Sequence, residues 1–141
     1  MKLNLKQYVG REQLSVMRQL CHREEGEHFV NTIQRLKNTI AAMPVTGETE
    51  GQGDEAMVAL HYFSGASDWW IIERDIGCEY DEIPGEQLQA YGFVCLNGWT
   101  DCAELGYISI QELIDNHVEI DLYWQPKTLA EVRHSIRKEA A

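Results

Sequence analysis

Two stretches in the first third of the chain carry apolar residues at helical spacing. The longer one consists of Phe29, Ile33, Leu36, Ile40 and Met43, at steps of four, three, four and three residues. This spacing places all five on one face of a helix. The shorter one consists of Leu14, Val16, Met17, Leu20 and Cys21. Because Glu24–Gly26 separates them, the pattern predicts a helical hairpin over residues 1–43 with its apolar stripes against a core.

The pattern stops over residues 44–55, which contain one proline, three glycines and four acids. This composition is typical of connectors and offers no large apolar side chain to pack. We therefore predict a flexible acidic connector that is mobile and dispensable for folding.

Residues 56–141 are rich in β-prone runs separated by turn residues. Four such runs lie at 56–63, 69–75, 88–96 and 103–108, and a fifth at 118–124 alternates strictly between apolar and polar residues. Asn97–Gly98 is a strong turn signal after the third run. Ser109 and Thr128 are each followed three residues later by a glutamate, which predicts a capped short helix and a capped C-terminal helix.

Together these elements predict one α+β domain over residues 1–141. Its antiparallel sheet of about five strands has an N-terminal helical hairpin, a short helix and a C-terminal helix packed on one face. A chain of 141 residues can bury a core of its own. It contains no apolar run of membrane-spanning length, and its basic start lacks the apolar segment of a signal peptide. We therefore expect a cytoplasmic protein that does not bind membranes, with its four cysteines reduced.

Charge is distributed unevenly along the chain. Residues 38–126 hold seventeen acids and a single base, Arg74, for a formal charge of −16 within a total of −11. Such a field favours a protein partner with a basic surface and disfavours direct binding of nucleic acid. The alternative is that the acids only keep the surface soluble. The candidate partner-binding acids are Asp68, Glu73, Asp75, Glu79, Asp81, Glu82 and Glu86.

Tryptophans are the candidate apolar anchors of such an interface. Trp69 and Trp70 are adjacent in a predicted strand, so their side chains point to opposite faces and only one easily enters a single core. The other is covered by a helix or loop, or is exposed as a binding anchor. Trp99, in the turn after the third strand, is a further candidate. The sequence does not indicate whether the protein also self-associates.

The sequence contains weaker evidence for a catalytic function than for an interaction surface. His61, with Asp68, Glu73 and Asp75 nearby on strands expected to pair, could act as a general base in a small hydrolase or transferase. A structural polar cluster is the alternative that we favour. The cysteines and histidines match no zinc-binding spacing, and no phosphate-binding or nucleophile motif occurs. The sequence thus predicts no catalytic residue, metal site or cofactor.

Several sequence segments in the second half of the chain resemble an uncharacterised bacterial domain family. These are Leu60–Phe63, Ser67–Asp75, Ala103–Ile110 and Glu119–Leu129, so the resemblance covers roughly residues 56–133. That family is associated with plasmids, integrative elements and phages, often near anti-restriction genes. The resemblance implies a mobile-element setting and no activity. Combined with the charge, it leads to the hypothesis of a non-enzymatic, DNA-mimicking anti-defence inhibitor.

Overall fold

A computed structural model of the protein describes residues 3–140, with side chains as far as Lys138. Over this range the α-helices are α1 Arg11–Leu20, α2 Gly26–Ala42, α3 Ile110–Asp115 and α4 Leu129–Ala140. The strands are β1 Met57–Val58, β2 Leu60–Ser64, β3 Ser67–Glu73, β4 Ala90–Cys95, β5 Glu104–Ile108, β6 Glu119–Ile120 and β7 Lys127–Thr128. Five strands form an antiparallel sheet in the order β5-β4-β3-β2-β6, and β1 pairs with β7 in a second, two-stranded sheet. The predicted α+β fold is confirmed.

Helices cover both faces of the five-stranded sheet. Leu60 and Ile71 are directly opposite each other on β2 and β3, and both are buried in one cluster with residues of α1, α2 and α3. On the other face, Trp70 and Phe93 are buried with Leu129 and Val132 of α4. The prediction that all helices pack on one face is therefore wrong. Successive residues of β3 point to opposite faces, and both sets are large and apolar, so each face requires its own cover.

The N-terminal helical hairpin forms as predicted and contributes to the larger core. Leu14, Met17, Leu36 and Ile40 are buried in it. The hairpin is also tied to the edge strand β6, because the Gln13 side chain donates to the carbonyl of Ile120 and accepts from its N–H, at 2.8 and 3.0 Å. Both backbone groups of this edge residue therefore have a hydrogen-bonding partner from α1.

The last predicted strand is much shorter than expected. β6 ends at Ile120, although the alternating pattern extends to Trp124. One oxygen of the Asp121 side chain accepts a hydrogen bond from the N–H of Tyr123 at 3.0 Å, which turns the chain. This side-chain turn competes with continued strand pairing and ends it.

Residues 44–55 are mostly exposed but are tied to the sheet at two points, which corrects the prediction of a connector that does not pack. Val45 forms a parallel bridge with Arg74, just beyond β3, and the Arg74 N–H donates to the carbonyl of Pro44 at 3.0 Å. Thr49 is buried. The segment has no large apolar anchor, and a buried carboxylate from another part of the chain, Glu73, fixes it by hydrogen bonds.

A β-bulge aims Glu73 at this segment. Ile71 pairs with Gly92 and Glu73 pairs with Tyr91, so two steps along β3 match one step along β4. The extra residue turns the Glu73 side chain to the face that α4 covers. The strands approach closely beside the bulge, since a Cβ on Gly92 would lie 2.0 Å from the carbonyl oxygen of Trp70. Only glycine fits at that position.

Candidate interaction surface

The longest connection between strands is rigid at its base. Residues 75–89, which we call the acidic loop, join β3 to β4. Gln87 is fully buried at this base, where its side chain accepts from the Asp75 N–H at 2.7 Å and donates to the carbonyls of Asp75 and Gly85 at 3.2 and 3.0 Å. One buried amide thus clamps both ends of the loop.

Carboxylates shape the loop as well. Asp75 accepts hydrogen bonds from the N–H groups of Gly77, Leu88 and Gln89 at 2.8, 3.3 and 3.0 Å. The Asp81 side chain accepts from the Cys78 N–H at 2.7 Å. Outside the loop, the Gln7 side chain donates to the carbonyl of Pro84 at 2.8 Å. Asp75 and Asp81 therefore have structural roles in addition to their charge.

The loop exposes four large apolar side chains. Tyr80 is 85% exposed, Ile76 63%, Ile83 53% and Leu88 45%. Exposed apolar residues are normal when single, but four within thirteen residues on a clamped loop suggest an interaction surface. Sequence reasoning missed them because the apolar residues have neither helical nor strand periodicity. The sequence feature that could have revealed them is the unusual mixture of apolar residues and acids in this loop.

The predicted acids of the loop remain at the surface. Glu79 and Glu82 are exposed, and Asp81 and Glu86 are partly exposed. No base occurs between Arg74 and Lys127 to neutralise them. Arg74 itself is close to the buried Tyr8: burial raises the pKa of Tyr8, and the nearby guanidinium lowers it in part. The single base of the acidic stretch therefore lies beside a core tyrosine, and its Nε is buried without a hydrogen-bonding partner among the described residues.

Trp69 and Trp70 are both covered, which is one of the two alternatives that the sequence left open. Trp70 is only 5% exposed, between Phe93 and His61, so it is not available to a partner in this fold. Trp69 is half-buried against the cluster that contains the N-terminal helices. Each of the two faces has its own core, which explains how adjacent tryptophans are both covered. Trp99 is 64% exposed and is the tryptophan most accessible to a partner among the described residues.

The structure does not bring all predicted site residues together. Trp99 and Asp68 lie near the end of β4 marked by Cys95, since Asp68 pairs with Cys95 and the Asn97 N–H donates to Ser67. The acidic loop enters β4 at its other end, at Ala90. Five steps along the strand separate these ends, which is about 17 Å. Trp99 and the acidic loop therefore do not form one compact patch.

His61 lies between two carboxylates. Its Nε2 is 2.7 Å from Oδ1 of Asp68, and its Nδ1 is 3.2 Å from Oδ2 of Asp121. The ring stacks on Trp70 at 5.5 Å between centroids and contacts Trp124 at 5.1 Å. Because both nitrogens already face an acid, neither is free to take a proton from a substrate. The two carboxylates lie on opposite sides of the ring, so they do not converge on one point as metal ligands do.

Glu73 is a structural residue, which corrects its assignment as a partner-binding acid. It is 5% exposed. Its carboxylate accepts from the N–H groups of Gly47 and Thr49 at 2.9 and 3.0 Å and from the Thr49 hydroxyl. Burial raises the pKa of Glu73, but these hydrogen bonds outweigh it and leave the pKa below its ordinary value.

The described part of the chain contains neither a metal site nor a membrane-spanning helix, and the chain matches no known protein. Residues 3–138 contain no group of three or more histidine, cysteine or acidic side chains arranged to hold a metal ion. No helix in the described part of the chain is long and apolar enough to cross a membrane. No protein-family model, curated protein or solved structure matches the chain. The resemblance to a mobile-element family therefore stays a prediction.

Proposed function

We propose that the chain is a non-enzymatic binding protein that docks through its acidic loop on a basic surface of a nucleic-acid-binding protein. The observation that carries this proposal is the exposure of Ile76, Tyr80, Ile83 and Leu88 among four acids on a loop whose base is clamped by Gln87.

The mixture of side chains suits both steps of association. Apolar side chains at the centre of an interface, above all an aromatic one such as Tyr80, contribute most of the binding free energy. The surrounding acids steer the encounter with a positively charged surface and raise the association rate. Because the base of the loop is already held by Asp75 and Gln87, little conformational entropy of the loop base is lost on binding.

More specifically, we propose that the protein is an anti-defence inhibitor that imitates DNA. A row of carboxylates can occupy a groove that otherwise holds phosphates. The resemblance of residues 56–133 to a family of plasmids, integrative elements and phages supports a target in host defence. The acidic stretch of residues 38–126 supports the basic character of that target.

An enzyme centred on His61 is the weaker alternative. Its support is the pairing of a histidine with carboxylates, which is common in general-base catalysis. The two-sided contact of the ring with Asp68 and Asp121 argues against it, as does its packing between Trp70 and Trp124. Such an arrangement fits a structural cluster that joins β2, β3 and the turn after β6.

The test compares two variants of the acidic loop. The protein is immobilised, its partner is captured from a lysate of its host and identified by mass spectrometry, and binding is then measured with the purified partner. The charge variant combines Glu79→Gln, Asp81→Asn, Glu82→Gln and Glu86→Gln. We expect it to associate roughly tenfold more slowly at low salt, with a much weaker salt dependence. The apolar variant combines Ile76→Ser, Tyr80→Ser and Ile83→Ser and should dissociate faster at every salt concentration.

Matched controls separate the loop from charge in general. Glu112→Gln with Asp115→Asn removes two acids from α3, and Trp99→Ala removes the exposed tryptophan at the far end of β4. We expect both to bind like the unchanged protein. If the partner lacks a basic nucleic-acid-binding surface, or binds both loop variants as tightly as the unchanged protein, the proposal is wrong. Sub-micromolar binding of duplex DNA by the protein itself would also contradict it.

A further inference from the structure

A cleft on the α4 side of the sheet has the chemistry of a cation site. Its volume is about 640 Å³, within the range of ligand-binding sites in proteins. Its floor is formed by the ends of β3, β4 and β5, which contribute Ile72, Tyr91, Leu105 and Tyr107. Residues 46–56 form the opposite wall. The cleft shares no residue with the acidic loop.

Two tyrosines form the aromatic part of the floor. Tyr91 and Tyr107 are directly opposite each other on β4 and β5, with ring centroids 5.7 Å apart in an edge-to-face arrangement. Tyr107 is 69% exposed and lies on β5, an edge strand of the sheet. The face of a tyrosine ring attracts a cation that lies within about 6 Å of its centre.

The charges that line the cleft are all negative. Glu50 is exposed on the wall, and the carboxylate of Glu73 lies at its base, where hydrogen bonds to Gly47 and Thr49 keep its pKa low and the group ionised at neutral pH. Among the residues that the structure describes, no lysine, arginine or histidine lines the cleft. Three hydrogen bonds occupy the Glu73 oxygens, so this buried carboxylate contributes negative charge to the cleft rather than a direct contact.

We propose that this cleft binds the guanidinium group of an arginine side chain from a partner protein. A guanidinium is planar and weakly hydrated, and it stacks on aromatic rings while its N–H groups reach carboxylates. The cleft offers both kinds of contact, with the rings of Tyr91 and Tyr107 on its floor and the exposed carboxylate of Glu50 on its wall, while the buried Glu73 only adds negative charge at the base. A lysine ammonium is more strongly hydrated and gains less from an open aromatic floor.

A small probe tests this site without any partner, so the result does not depend on the proposed function. The full ¹⁵N-labelled chain is titrated with N-acetyl-arginine methylamide and followed by NMR. We expect saturable shifts of backbone amides in residues 46–53, 91 and 105–107, with a Kd on the order of millimolar for one side chain. The nearly isosteric but neutral N-acetyl-citrulline methylamide should cause no saturable shift there.

Variants of exposed residues show which groups are responsible. Tyr107→Leu and Glu50→Gln should each weaken probe binding by roughly fivefold, which corresponds to about 1 kcal/mol for a cation–π contact or an exposed ion pair. Tyr107→Phe keeps the ring and should retain binding. Tyr123→Leu, at an exposed tyrosine of the turn after β6, is the matched control and should change nothing.

Three outcomes would overturn the inference. The first is equal binding of the arginine and citrulline probes, and the second is equal or tighter binding of N-acetyl-lysine methylamide. The third is an unchanged Kd in both Tyr107→Leu and Glu50→Gln. The NMR spectrum of each variant reports its folding directly, and the comparison of probes on the unchanged protein remains decisive if a variant fails to fold.

Discussion

Two segments of this protein have similar compositions and opposite structural roles. Residues 44–55 and the acidic loop each contain one proline, at least two glycines and at least four acids. The first segment packs on the sheet with Thr49 buried, whereas the second leaves four large apolar side chains in solvent. The segment with less apolar surface is thus the one that packs.

The difference lies in where the hydrogen-bond acceptor comes from. Residues 44–55 donate two backbone N–H groups and a hydroxyl to Glu73, which lies 24 residues or more further along the chain. The acidic loop satisfies its own backbone groups through Asp75, Asp81 and Gln87. A loop that caps itself does not need the sheet, so its remaining side chains are free to face a partner.

The largest expected effect on stability comes from removing Glu73, which accepts the hydrogen bonds of residues 44–55. Glu73→Ala should lower the free energy of unfolding by about 3 kcal/mol, since three donors, two of them on the buried Thr49, lose their acceptor. Urea denaturation measures this change. Deleting residues 47–53 should also be strongly destabilising, in contrast to what a dispensable connector would show.

The matched control for this prediction is Glu50→Gln, an exposed acid of the same segment. It should change the free energy of unfolding by less than about 0.5 kcal/mol. A loss below about 1 kcal/mol for Glu73→Ala would mean that residues 44–55 contribute little to the fold, and the contrast between the two segments would disappear.

The base of the acidic loop should show the next largest effect. Gln87→Ala removes the amide that joins Asp75 and Gly85, and we expect a loss of about 2 kcal/mol because buried backbone groups are left without partners. Gln89→Ala is the control, since Gln89 is exposed and its backbone N–H still donates to Asp75. Equal denaturation midpoints for the two variants would show that the loop base is not clamped.

Acid should weaken the packed segment through Glu73. Its pKa is lowered in the folded protein, so its contribution to stability is complete above about pH 4.5 and is lost as the pH falls through the lowered value. Glu73→Gln lacks this titration. The stability difference between the unchanged protein and Glu73→Gln should therefore shrink between pH 5 and pH 3, by about 1.4 kcal/mol for each unit by which the pKa is lowered. A difference that stays constant over this range contradicts the prediction.

The smallest effect on stability is expected at the tip of the acidic loop. Tyr80→Ser and Ile83→Ser should each change the free energy of unfolding by less than about 0.5 kcal/mol, because both side chains are exposed. Thermal unfolding followed by circular dichroism measures this. A loss of 2 kcal/mol or more in either variant would mean that these side chains pack in the monomer, and the proposed interface would lose its main support.

Local sequence determined most of the elements. The stripe from Phe29 to Met43 predicts α2, and the glutamates that follow Ser109 and Thr128 predict two helix starts. The structure contains both caps, with the Glu112 and Glu131 N–H groups donating to Ser109 and Thr128 at 3.1 and 3.2 Å. These interactions span three or four residues, so they can be read from neighbouring positions.

Tertiary structure decided where the side chains of the candidate sites lie. Glu73 and Glu79 are the same residue type six positions apart, yet one is buried at a cleft and the other is in solvent. The bulge in β3 and the close approach of Gly92 turn Glu73 towards residues 44–55. That contact joins positions at least 24 residues apart. Local periodicity carries no information about such long-range pairing, because it depends on strand register and on which elements cover each face of the sheet.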